Sequence, residues 1–194
     1  MHLYMSGTPK NDAFQAVENQ MCSHRLFSMH GDYAREVMKW LEMVKSGVRT
    51  FDHYCDYAPS AASRLERKDQ EQQALLVQRG IEDEWVPYAE ALRAASQGRT
   101  PSCPSHIMLD SGAFTAWNAG ASVTLDEVKS AYSRFLTEED GMFKEIWLIN
   151  LDVIPGKKGR DPTPQELRTA IEESDRNLTA LRAEFGDCVL PVFH

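Results

Sequence analysis

From residue 105 onward, short apolar runs alternate with amphipathic helix patterns, and this alternation restricts the fold more than any other feature of the sequence. His106-Ile107-Met108-Leu109 reads as a short buried strand. Thr124-Leu125-Asp126-Glu127 is a capping box, opening a helix whose apolar stripe is Leu125, Val128, Tyr132 and Phe135. Ile146 to Leu151 is the next apolar strand, and Thr163-Pro164-Gln165-Glu166 is a second capping box with proline at the first helical position. That helix carries Leu167, Ile171, Leu178, Leu181 and Phe185, and Val189 to Phe193 predicts a further strand. Apolar strands joined by crossover helices form parallel βαβ units, with a sheet expected to be buried on both faces. The expected fold class is α/β.

The first hundred residues follow the same logic more loosely. His2 to Ser6 and Arg25 to Met29 read as strands closed by turns, Gly7-Thr8-Pro9 and His30-Gly31-Asp32. Tyr33 to Ser46 has apolar residues at helical spacing, with Asp32 expected to cap its start and Gly47 its end. Residues 61–99 are mostly polar, with a thin stripe of Leu75, Leu76, Ile81, Trp85 and Leu92. They predict one or two exposed helices, broken near Pro87 and inserted into a single domain spanning residues 1–194. A face of mixed charge is expected to be solvated rather than to bind a partner.

Composition narrows the class. With 42% apolar residues, 11 glycines and 9 prolines, collagenous and disordered chains are excluded. The net charge of −8 disfavours a cationic nucleic-acid module. Cys22, Cys55, Cys103 and Cys188 are too far apart for a C-x-x-C ligand or redox pair, so free thiols are expected. The first residues lack a basic leader, and no run reaches the ~18 apolar residues of a membrane span. The expectation is a soluble, cytoplasmic protein.

In parallel α/β folds chemistry gathers at the carboxyl ends of strands. Three consecutive strands end in Asp110, Asp152 and His194. Ser111-Gly112-Ala113-Phe114 follows the first, and its glycine permits a tight turn that aims backbone N–H groups at a ligand. Val153-Ile154-Pro155-Gly156 follows the second. Two carboxylates on one sheet rim suit an acid/base or nucleophile pair; aspartates there also commonly bond only their own loops. Phe114 is either core or a ring placed to stack on a flat base. His30, Asp32 and Asp56-Tyr57 belong to no constellation.

Met108-Leu109-Asp110-Ser111-Gly112-Ala113-Phe114 resembles the Asp-Ser-Gly-Gly-aromatic signature of the tRNA-guanine (queuine) transglycosylases. It is most similar to their branch acting on DNA, the DpdA-like deazapurine DNA-modification proteins of phages and bacterial islands. Leu148 to Gly156 resembles that family's next strand, and Leu190-Pro191-Val192-Phe193-His194 the one after it. The resemblance covers residues 105–194 well and the first hundred loosely. It implies a (β/α)₈ barrel that exchanges guanine in a polynucleotide, DNA more than tRNA, for a 7-deazaguanine through a covalent glycosyl–enzyme intermediate. By the same resemblance Asp110 is the acid/base group and Ser111 and Gly112 line the pocket. Phe114 stacks on the base, Asp152 accepts hydrogen bonds from its N–H edge, and His194 joins the base-binding loop. Ala113 in place of the second glycine, and Thr115 where the tRNA enzymes tend to have glutamine, point away from tRNA.

The chemistry is coherent, since double displacement at an anomeric carbon needs a nucleophilic carboxylate and a proton shuttle. A base within a duplex must also be flipped out to be reached. No metal or cofactor is expected within these 194 residues; the family's nucleophilic aspartate and Cys/His zinc ligands are expected beyond His194. A complete barrel takes about 250 residues, so the chain reads as an incomplete N-terminal portion, completed by a missing C-terminal half or a second chain. Two other readings stay open: a glycoside hydrolase using Asp110 and Asp152, and a base- or nucleic-acid-binding subunit without turnover. Lys157-Lys158-Gly159-Arg160 is the one basic cluster on the presumed active rim, either a solvated loop or a phosphate contact.

Overall fold

A computed structural model describes residues 4–6, 24–48, 51–80 and 105–192. The described elements are β1 (Met5–Ser6), β2 (His24–Ser28), α1 (Gly31–Lys45), α2 (Phe51–Tyr57), α3 (Pro59–Arg79), β3 (His106–Asp110), α4 (Ala113–Asn118), α5 (Leu125–Glu139), β4 (Glu145–Ile149), α6 (Pro164–Phe185) and β5 (Val189–Leu190). The chain divides into two compact units. One holds Met1–Thr8, His24–Met38 and Ser105–His194; the other holds Pro9–Ser23 and Lys39–Pro104. The second unit is larger than the insertion expected over 61–99.

The first unit is α/β. Its five strands are hydrogen-bonded in the order β1-β2-β3-β4-β5, every neighbouring pair parallel. The register sets Ser28 beside Asp110 and Leu109 beside Leu148. On one face Phe27, Ile107, Leu109 and Leu148 are fully buried. The unit's helices contribute Val37, Val128, Tyr132, Phe135, Ala170 and Leu181 to this core. The other face carries Leu26, Met108 and Trp147, which are only partly buried. The expectation of a sheet buried on both faces is therefore corrected: burial alternates along β2 and β3 because side chains of a strand point alternately to opposite faces.

Both capping boxes form as expected. Thr124 Oγ1 accepts from the Glu127 N–H at 3.3 Å, Glu127 accepts from the Thr124 N–H at 2.8 Å, and Thr163 and Glu166 repeat the motif. Helix α1 begins at Gly31, so Asp32 lies inside its first turn, paired with Arg35 at 2.8 Å, instead of capping it. On α6, Ala170 and Leu181 face the core, whereas Leu167 and Ile171 are exposed, which shifts the expected stripe. The expected strand at Val189–Phe193 is paired only through Leu190; Pro191 has no N–H with which to extend a ladder.

In the second unit Trp40, Leu41, Met43, Val44, Val48 and Ala62 are buried. The expected polar helix is α3, where only Ala62 and Asp69 are buried and Gly80, at φ 68°, caps the end. The expected break at Pro87 lies outside the described residues, as do the first strand's opening residues and its Gly7-Thr8-Pro9 turn. Cys55 and Cys188, the cysteines among the described residues, form no disulfide. Among the described residues no helix is long and apolar enough to cross a membrane.

Candidate functional site

Asp110 is the last residue of β3, the central strand of the described sheet, and its carboxylate turns back onto its own loop. The Gly112 N–H donates to Asp110 Oδ2 at 3.0 Å. Burial pushes the Asp110 carboxyl above its ordinary value, and the Gly112 hydrogen bond offsets part of that rise. Ser111, the next residue, is buried. Gly112 has φ 78° and starts α4. A Cβ there would lie 2.3 Å from His30 Cβ and 3.1 Å from Ser28 Oγ, so the turn requires glycine on both conformational and steric grounds.

Two residues outside the recognised motif thus crowd the Asp110 turn. Ser28 is its register partner on β2, and its Oγ is buried without a hydrogen-bond partner among the described residues. His30 packs directly on Gly112. Their proximity arises from parallel pairing of β2 with β3, segments more than eighty residues apart in the chain, which no local pattern announces.

Asp152 sits three residues past β4 and turns toward α6. Ser174 Oγ donates to Asp152 Oδ1 at 3.1 Å and accepts from the Val153 N–H at 2.9 Å. Asn150 Nδ2 donates to the Ser174 carbonyl at 3.0 Å, and Asn177 Nδ2 to the Leu151 carbonyl at 2.9 Å. Four side chains therefore fix the Asn150–Val153 segment against α6. Asp152 lines a cleft of about 550 Å³ with Trp117, Leu151, Ile154, Arg176 and Asn177. Such a volume lies within the range of small-molecule sites, and its walls combine apolar side chains with a few polar groups.

Asp110 does not line this cleft. The two carboxylates share the carboxyl end of the sheet, but Asp152 opens into the cleft while Asp110 is engaged at the β2–β3 edge. Phe114 is 66% exposed. Its ring lies 6.1 Å from that of Trp117 at an interplanar angle of 29°, and it is Trp117 that forms the cleft wall. The Phe-x-x-Trp spacing, three residues apart on one helical face, was the available signal for Trp117. His194 lies outside the described residues. Of the basic cluster, Lys158 Nζ donates to Asn118 Oδ1 at 2.7 Å, and Arg160 pairs with Glu166.

Among the described residues no three His, Cys, Asp or Glu side chains converge to hold a metal ion. Compared with protein-family models, curated proteins and solved structures, the chain matches none.

Proposed function

We propose that the chain carries the base-handling half of a base-exchange glycosyltransferase, replacing guanine in a polynucleotide, DNA before tRNA, with a 7-deazaguanine. The observation that carries this reading is the pairing of a buried Asp110, its carboxyl raised by that burial, at one strand end with an Asp152-lined, Trp-walled cleft beside the next. Sequential strand order without reversal supports a singly wound sheet, as in a (β/α)₈ barrel. Guanine leaves the anomeric carbon only if a ring nitrogen takes a proton, and the incoming base must give one up. A carboxyl raised by burial is suited to both transfers. In this reading Ser111 and Gly112 form the wall next to Asp110, Asp152 accepts from the N–H edge of the base, and the aromatic pair Phe114 and Trp117 shelves it. The attacking carboxylate is the one the resemblance puts beyond His194.

The test is incorporation of labelled 7-deazaguanine into DNA and into tRNA by the full protein and by Asp110→Asn. A loss of at least about a hundredfold is expected, the usual weight of one acid/base group; unchanged incorporation would overturn the role of Asp110. A second reading, a base-binding module without turnover, is favoured by one observation, the absence of Asp110 from the cleft lining. It predicts base binding that depends on Asp152 and Trp117, with no exchange in the unsubstituted chain.

A further inference from the structure

The paired register of β3 and β4 stops at Leu109 and Leu148. Past that point each strand bonds to its other neighbour: the Asp110 carbonyl accepts from the Met29 N–H at 2.8 Å, on the β2 side, and the Asn150 N–H donates to the Leu190 carbonyl at 2.9 Å, on the β5 side. These bonds follow the alternation of a parallel ladder; the β3–β4 pairing itself is not continued by Asp110 and Ile149, which leaves a fork between the strands at that point. The fork is occupied by the hydroxyl of Tyr132, which reaches up from α5 and donates to the Ile149 carbonyl at 2.7 Å and the Leu109 carbonyl at 3.1 Å. One hydroxyl hydrogen is shared between carbonyls of both strands. The Tyr132 ring is fully buried, with Phe185 edge-on at 6.1 Å.

We propose that Tyr132 is a positioning residue for Asp110: its hydroxyl fills the fork between β3 and β4 and, by tying Leu109 to Ile149, sets where the Asp110 carboxyl stands and keeps water from its inner side. This rests on the reading of Asp110 as the proton-handling group. A buried carbonyl must find a donor, and without the hydroxyl the donor that reaches Ile149 is water. Burial, with the Asp110 charge as a second cause, holds the phenol well above its ordinary value, so it remains a donor throughout the working range. Among the described residues the ionisable groups at the fork are Asp110 and Tyr132, with His30 against Gly112; Asp152 turns aside to Ser174.

The experiment is a ¹³C NMR titration of the aspartate carboxyls in the full chain, with the Asp110 signal assigned through Asp110→Asn. Tyr132→Phe deletes one oxygen. It is expected to lower the Asp110 midpoint by about half a pH unit or more, because water admitted to the fork solvates the charged form. Phe135→Leu, a packing loss on the same buried stripe, is the control, and the midpoint is expected to hold there. An unchanged midpoint in Tyr132→Phe, or an equal shift in both variants, would overturn the proposal. So would failure of Tyr132→Phe to fold, since the hydroxyl then serves the fold as a whole. Base exchange is measured alongside. A shifted midpoint in a protein that exchanges no base leaves the positioning role standing and refutes only the catalytic reading.

Discussion

Because burial raises the Asp110 carboxyl above 3.8 in the folded chain, ionising it costs more folded than unfolded. Below the unfolded value both states hold the proton and nothing is lost; as pH rises through that value toward the folded one, the unfolded state ionises first and stability falls. Asp110→Asn removes this cost while keeping an oxygen to accept from the Gly112 N–H. The variant should therefore be at least as stable as the unsubstituted chain in urea at pH 7, with the difference vanishing toward pH 3. A variant less stable at pH 7 than at pH 3, relative to the parent, would mean that Asp110 is structural. At this scale the motif was legible, since Asp110-Ser111-Gly112 announces a strand end and a glycine turn. Ser28 and His30 were not, because what brings them to Gly112 is the β2–β3 register, a property of two distant segments. Phe114 shows the converse: its residue type marked it as a stacking group, and the short helix α4 gives the inner place to Trp117.

The elements that the sequence announced most clearly are the two helices with capping boxes, where the signal is local and complete within four residues. Thr124 and Thr163 each satisfy a backbone N–H that the first helical turn would otherwise leave open. Thr163 shares its glutamate with Arg160, whose guanidinium, the largest influence, holds the Glu166 carboxyl down to about 2. Among the described residues no arginine or lysine pairs with Glu127 in this way. Thr124→Ala should cost about 1 kcal/mol in chemical denaturation, whereas Thr163→Ala should cost less, because Arg160 still anchors Glu166 at the helix start. Equal losses would show that the ion pair adds nothing to the cap. The fork between β3 and β4 belongs to this scale as well. No sequence pattern distinguishes a strand pair that stays zipped from one that parts, since the choice depends on which neighbour each terminal residue bonds. Tyr132 read as one more apolar residue of a helical stripe until its hydroxyl was seen to lie between the strands.

At the scale of the molecule, a net charge of −8 sets polynucleotide binding at a disadvantage that only local cations offset. In the Lys157–Arg160 cluster, Arg160 is paired with Glu166, while Lys158 is held by the uncharged Asn118 and keeps its full charge toward a ligand. If the proposed substrate contacts this loop, replacing Lys157 and Lys158 with alanine should reduce the slope of log affinity against log salt by roughly 1.5 to 2 for DNA, and Arg160→Ala should leave it nearly unchanged. A slope insensitive to all three would place the phosphates elsewhere. What the sequence determined by itself was the class of fold and the rank of its residues: period-two and period-3.6 patterns with capping boxes dictate parallel βαβ units, and those units put Asp110 and Asp152 at strand ends. Only the tertiary structure decided that one sheet face is more deeply buried than the other, that the cleft belongs to Asp152 and Trp117, and that Tyr132 stands in the fork beside Asp110. Local patterns encode free energies within one element, whereas these features come from register, burial and hydrogen bonds made between elements, which exist only once the chain has closed on itself.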